Sequence, residues 1–185
     1  TLFGATASVY LLGSLFGAQA YANPTGGSVV AGNASIVQAT PDTLNVVQSS
    51  NKAIINWQSF SIGAGETVNF QQPSNKSVTL NRVTGNDPSA IFGSLNANGT
   101  VMLVNPNGIV FGPGSRVDVG GLVATTANIN DADFMAGKYD FNQASTNKDA
   151  RIVNQGDISI RDAGLAALVA PGVENSGTIQ ARLGK

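Results

Sequence analysis

Two proline-containing turns set close together constrain this chain more than any other feature. In the stretch from Gly99 to Val123, GTVMLVNPNGIVFGPGSRVDVGGLV, apolar runs at 100–104, 109–111 and 116–119 are separated by Asn105-Pro106-Asn107-Gly108 and Gly112-Pro113-Gly114-Ser115. The first has the pattern of a type I turn: Asn at i, Pro presetting φ at i+1, Gly at i+3. The second fits type II, with Pro at i+1 and Gly at i+2, where φ is positive. Neither is the two-residue loop that folds a strand back on its neighbour as a hairpin. The chain therefore bends at each turn and runs on. Val101 and Leu103 recur as Val117 and Val119, sixteen residues later. That register predicts a coil in which the first pair stacks beneath the second in the core.

The C-terminal part repeats outright. Ile152–Ile158 and Gly172–Ile179 share a core of Ile or Val, then x-N-x-G-x-I, with Asn154 and Asn175 twenty-one residues apart. A unit of about 20 residues per repeat is what stacked β-coils show. Ile158 and Ile160 then face inward, the Gly turns the corner, and Asn154 over Asn175 forms a side-chain ladder. Ala163–Ala170 reads as helix or β-coil, and its neighbours favour β-coil. The pattern is still running at Lys185, and a terminal coil needs a cap. The expectation is that more coils follow in a longer protein.

Composition agrees with a β-rich, turn-rich domain. The 185 residues set one domain as the prior and suffice for a sizeable core. Charged residues are 11% of the chain, against roughly a quarter in ordinary soluble domains. Hydrophobic content of 42% is too high for disorder. A net charge of −1 without a basic cluster argues against nucleic acid as a partner. There is no Cys to staple the fold and no His, the commonest general base and metal ligand.

In chain order, the first 22 residues, TLFGATASVYLLGSLFGAQAYA, carry no charge, and Asp42 is the first charged residue. An apolar stretch followed by Ala20-Tyr21-Ala22 reads as the C-terminal part of a signal peptide, with 23–185 as the folded domain. Short β-like runs follow: Ser28–Val30, Ala34–Ala39, Leu44–Val47, Ala53–Trp57, Thr67–Phe70 and Ser77–Val83. Gly63-Ala64-Gly65 and Gly85-Asn86-Asp87-Pro88 break them. Trp57 and Phe60 read as core aromatics under an N-terminal cap spanning about 23–60. The polar segment 128–148 reads as an excursion packed down by Phe134, Tyr139 and Phe141.

The motifs also carry a family resemblance. VMLVNPNGIVFGPGSRVDVGGLVATTANI, the upstream INWQSF and LNRVTGNDPS, and GGLVATTANINDADFMAGKYDF resemble the filamentous-haemagglutinin-type secretion domain. That domain is the N-terminal part of large exoproteins exported by two-partner secretion in Gram-negative bacteria. The resemblance runs from about Asn23 to Lys185. The earlier NPNL motif of many members is missing, which places the chain nearer the high-molecular-weight adhesins. The implied fold is all-β, a right-handed parallel β-helix with an N-terminal cap and small extra-helical elements. The implied partner is a cognate outer-membrane β-barrel transporter, met through its periplasmic POTRA domains. A host-cell surface glycan or protein is implied only for regions downstream, and no cofactor or metal is. Carried over from the family motif, the transporter-recognition and folding residues are Asn105, Pro106, Asn107, Gly108 and Ile109. Turn chemistry alone also accounts for each of these residue types. If Asn107 is only a turn residue, Asn107→Asp is expected to leave folding and export nearly intact, since Asp tolerates the same geometry.

Three classes of function compete. An enzyme on a β-helix needs clustered carboxylates; here only Asp131 and Asp133 lie close in sequence, and solvating the excursion suits them better than holding a cation. No phosphate loop, nucleophile elbow or metal-spaced His/Cys set is present. A glycan- or host-binding adhesin module needs exposed aromatics, and the chain has one Trp and three Tyr. A secretion-targeting domain that nucleates folding at the cell surface explains most of the sequence. Its physical route is strand addition to a sheet edge followed by coil-on-coil stacking.

Overall fold

The computed structural model describes residues 23–161 and 164–182. The signal-peptide reading of residues 1–22 lies outside the described residues. Two strands come first, β1 (Ser28–Ala31) and β2 (Ala34–Thr40). The chain then winds. The first coil carries β3 (Thr43–Gln48) and β4 (Lys52–Trp57); the second, β5 (Thr67–Gln71), β6 (Val78–Val83) and β7 (Ser89–Ile91). The third holds β8 (Ser94–Ala97), β9 (Thr100–Val104) and β10 (Ile109–Phe111). The fourth holds β11 (Arg116–Val119), β12 (Gly121–Thr125) and β13 (Arg151–Asn154), with helix α1 (Asp131–Ala136) between the last two. β14 (Asp157–Ile160), β15 (Ala166–Val169) and β16 (Gly172–Asn175) make the fifth, and β17 (Thr178–Ala181) opens a sixth.

Corresponding strands of successive coils pair in parallel, so the coils close into three faces. The first face runs β1-β4-β6-β9-β12-β15, the second β7-β10-β13-β16, and the third β2-β3-β5-β8-β11-β14-β17. This is the expected parallel β-helix, of about six turns. On the third face the alternation is clean: Leu44, Val68, Leu95, Val117 and Ile158 stack inward in register. Between them, Asn45, Asn69 and Asn96 form an outward ladder of 3.0 Å amide bonds. Asn154 stacks on Asn175 as expected, its Nδ2 donating to the Asn175 Oδ1 at 2.8 Å. Ile158 and Ile160 are buried, and within the run read as helix or β-coil Ala166–Val169 is strand β15.

The sixteen-residue register is wrong. Val101 pairs with Leu122 and Leu103 with Ala124 on the first face, whereas Val117 and Val119 lie on the third, with Ile158 and Ile160 above them. Three corners are needed to come full circle, and sixteen residues cover only two. The third is a tight bend at Gly120, whose N–H donates to the Gly99 carbonyl at 2.8 Å. No proline marks that corner, so the return to the first face was invisible in the sequence.

The N-terminal cap is shorter than the expected 23–60. β1 pairs antiparallel with β4 and β2 antiparallel with β3, while β3 and β4 already pair in parallel with the second coil. Trp57 and Phe60 are buried core aromatics, meeting edge to face at 5.6 Å. The Trp57 Nε1–H donates to the Asn81 Oδ1 at 3.0 Å, which satisfies the one polar atom of the ring. Gly27 lies on that ring: a Cβ there would stand 2.5 Å from Cζ3. The cap closes because this residue has no side chain.

From β4 to β12 the first face is buried on both sides. Ile54, Leu80, Met102 and Val123 form an outward column, continuous in register across four coils. It is covered by the excursion between β12 and β13, where Ile129 and Phe134 are buried against it. Of the three aromatics expected to pack this segment down, Phe134 is fully buried and Phe141 partly so, while Tyr139 is 43% exposed. Partial burial still raises the Tyr139 phenol above its ordinary pKa. Asp131 does more than solvate the segment, because its Oδ1 lies 2.6 Å from an Arg82 guanidinium nitrogen.

Candidate functional site

The five singled-out residues sit together at the corner between the first and second faces, in the third coil. The turn is closed by the Gly108 N–H donating to the Asn105 carbonyl at 3.1 Å. An Asx bond reinforces it, the Asn107 N–H donating to the Asn105 Oδ1 at 2.9 Å. Gly108 has φ +114°, in the region that favours glycine, and a Cβ there would lie 2.8 Å from the Arg151 carbonyl oxygen. Ile109 opens β10 and is fully buried.

The side chains reach down to the coil below. The Asn105 Nδ2 donates to the Asp87 carbonyl and to the Ser89 Oγ, both at 3.0 Å. The Asn107 Nδ2 donates to the Gly85 carbonyl at 3.0 Å and to the Asn105 Oδ1 at 3.2 Å. The backbone is bonded on both sides as well: Asn105 N–H to the Thr125 carbonyl above, and Ser89 N–H to the Gly108 carbonyl from below, each at 3.0 Å. From the excursion, the Ser145 Oγ donates to the Pro106 carbonyl at 2.7 Å. Asn105 is completely buried and Pro106 and Asn107 half-buried, so little of the motif faces solvent.

This corner is a joint between three coils, and nothing in it is a nucleophile or a titrating group. Sequence reasoning found the turn but missed its partners. Gly85-Asn86-Asp87-Pro88, read only as a breaker, is the equivalent corner one coil below. The signal was the spacing, since Ser89 and Ile109 pair in register twenty residues apart. Among the described residues, no three His, Cys, Asp or Glu side chains gather as a metal site.

Asn107 is therefore more than a turn residue, and the expectation for Asn107→Asp changes. An ionised Asp cannot donate, and its carboxylate would face the Gly85 carbonyl and the Asn105 Oδ1. The expected result is a loss of about 1–2 kcal/mol, seen as a fall in Tm of roughly 5 °C. A melt matching the parent protein would show that the Gly85 contact contributes nothing.

The fold and its stitched corner define a class: a parallel β-solenoid built as a packed, self-supporting scaffold. The model of the TPS secretion domain matches residues 20–183, and the chain belongs to that two-partner secretion family. Exoproteins of this family are secreted through the outer membrane of Gram-negative bacteria. The structure is similar to the crystal structure of the HMW1 secretion domain from Haemophilus influenzae. The TM-score is 0.81 at 36% identity, covering 86% of this chain and 42% of that one. Two proteins named heme/hemopexin-binding protein, also from Haemophilus influenzae, are 39% identical over 127 residues and 35% identical over 162 residues. Those matches take in 69% and 85% of this chain but 14% and 18% of the relatives. The chain thus spans less than a fifth of either curated relative.

Proposed function

We propose that this domain targets a longer exoprotein to its cognate outer-membrane β-barrel transporter and then nucleates β-helix folding on the outside. Residues 1–22 act as the end of a signal peptide, and 23–185 form the secretion domain. The transporter's POTRA domains meet the chain in the periplasm before it has coiled, when backbone groups and alternate side chains are free for strand addition. Outside the cell the coils stack from the N-terminal end, each offering its edge to the next. The domain acts as a folding and targeting module and not as an enzyme. Adhesion to a host surface, or the haem and hemopexin binding in the relatives' names, belongs in this reading to regions beyond the domain.

One observation carries the proposal: the Asn105 amide is buried and spent on joining two coils. A folded motif of this kind offers a receptor almost nothing, so Asn105 through Ile109 serve export by making the coil form. Secretion from cells holding the cognate transporter, set beside melts of the purified domain, tests this. Asn105→Ala leaves the Asp87 carbonyl, the Ser89 hydroxyl and the Asn107 N–H without their partner, at about 1–3 kcal/mol. Export and Tm are expected to fall together. Intact export from a clearly destabilised Asn105→Ala would end the proposal. Lost export at an unchanged Tm would mean that the transporter reads the amide itself.

A further inference from the structure

The corner that holds Asn105–Gly108 takes few residues in the other coils: 84–88 in the second, 105–108 in the third, 170–171 in the fifth. In the fourth it takes 126–150. This insertion is closed at its own base, where Asn128 and Gln143 exchange backbone bonds of 2.7 and 3.2 Å. Inside it, α1 has six residues, capped by the Asn130 Oδ1 at the Ala132 and Asp133 N–H groups and ended by Gly137 in the left-handed region. A helix this short does not persist alone in water. It exists because Phe134 and Ile129 seat on the outward column of Ile54, Leu80, Met102 and Val123.

The polar ties are few: the Ser145–Pro106 bond, the Thr126 N–H to the Val169 carbonyl at 3.1 Å, and bonds from two cations on the coils. Arg82, on β6, donates to the Asn128 Oδ1 at 2.8 Å, the Ile129 carbonyl at 2.9 Å and the Asp131 Oδ1 at 2.6 Å. Lys52, on β4, donates to the Met135 carbonyl at the end of α1 at 2.9 Å. The inner core between the three faces contains no residue of the insertion. All four coils that supply the apolar column are paired to one another without it. In chain order, those four strands also precede it.

From this geometry we propose that residues 126–150 are a strap, a conformational unit separate from the coils. It closes over an apolar stripe already formed on the first face and opens without uncoiling the solenoid. Few buried anchors and a helix too short to stand alone place the strap at the low-stability end of the molecule, and the doubly paired strands at the other. With the strap open, the stripe is an apolar surface crossing four coils, latched shut by Arg82. The proposal does not depend on the secretion reading.

Native-state hydrogen exchange on the whole domain tests it. The amides of Asn128, Phe134, Gly137 and Gln143 should exchange on the order of 100-fold or more faster than those of β6, β9 and β12. In Phe134→Ala the strap amides should lose protection and an apolar-surface dye should bind more, while the coil amides keep theirs. Strap and coils exchanging at one common rate would overturn the proposal. So would a Phe134→Ala chain whose coils open along with the strap. Asp131→Asn weakens the latch and leaves every coil-to-coil contact in place; it should speed exchange in the strap alone, and an unchanged strap rate would count against the Arg82 latch.

Discussion

Val117→Asp is expected to break the solenoid at its fourth coil. Val117 is 1% exposed and lies between Leu95 below and Ile158 above. A carboxylate there has no donor within the column and cannot reach water. The cost is on the order of 4 kcal/mol, a large share of a domain's total stability, which is about 5–15 kcal/mol. Because each coil touches only its neighbours, the damage should be uneven. The coils after β11 should lose hydrogen-exchange protection first, and those between the cap and β9 last. Burial favours the neutral acid, so the variant's folded-state pKa stands above the ordinary Asp value of about 3.9. The deficit should therefore be smallest at low pH and should grow as pH rises through that range. Val117→Asn, which does not titrate, should show no such recovery. A Val117→Asp protein melting with the parent would mean that Val117 does not face the core.

Gly108→Val should be the most damaging change within the Asn-Pro-Asn-Gly corner. The backbone at 108 has φ +114°, where a β-branched residue is an outlier. A left-handed or neighbouring conformation costs a non-glycine residue about 1–3 kcal/mol. The first side-chain atom would also stand 2.8 Å from the Arg151 carbonyl of the coil above. Relaxing that contact strains the β10–β13 pairing, which begins at Ile109 and Ile152. The sum is expected to be about 3 kcal/mol or more, with export falling alongside. Gly108→Ala shares the strain and the contact without the branching, and should lie between parent and Val. Normal export and an unshifted Tm for Gly108→Val would remove the motif from both roles, as a turn and as a signal.

The sequence by itself determined the coil. Two proline turns that bend without reversing, and the Asn154/Asn175 repeat, state local chemistry that neighbouring coils did not need to correct. The early strands fall where their β-branched runs and Gly/Pro breaks put them, and Trp57 and Phe60 are core. These signals survive because turn type and strand alternation depend on residues adjacent in the chain. Coil length was decided elsewhere. It depends on the number of corners, and the Gly120 corner carries no chemistry that distinguishes it from any other flexible glycine. Tertiary packing also decided that Ile54, Leu80, Met102 and Val123 face outward under a strap. Inside runs such as AIIN and VMLV both faces are apolar, so alternation cannot tell inner from outer. The partners of Asn105 and Asn107 became visible only when the 84–88 corner came to rest beneath them. A side-chain amide can join any two carbonyls that the fold brings within 3 Å, and only the register between coils selects which.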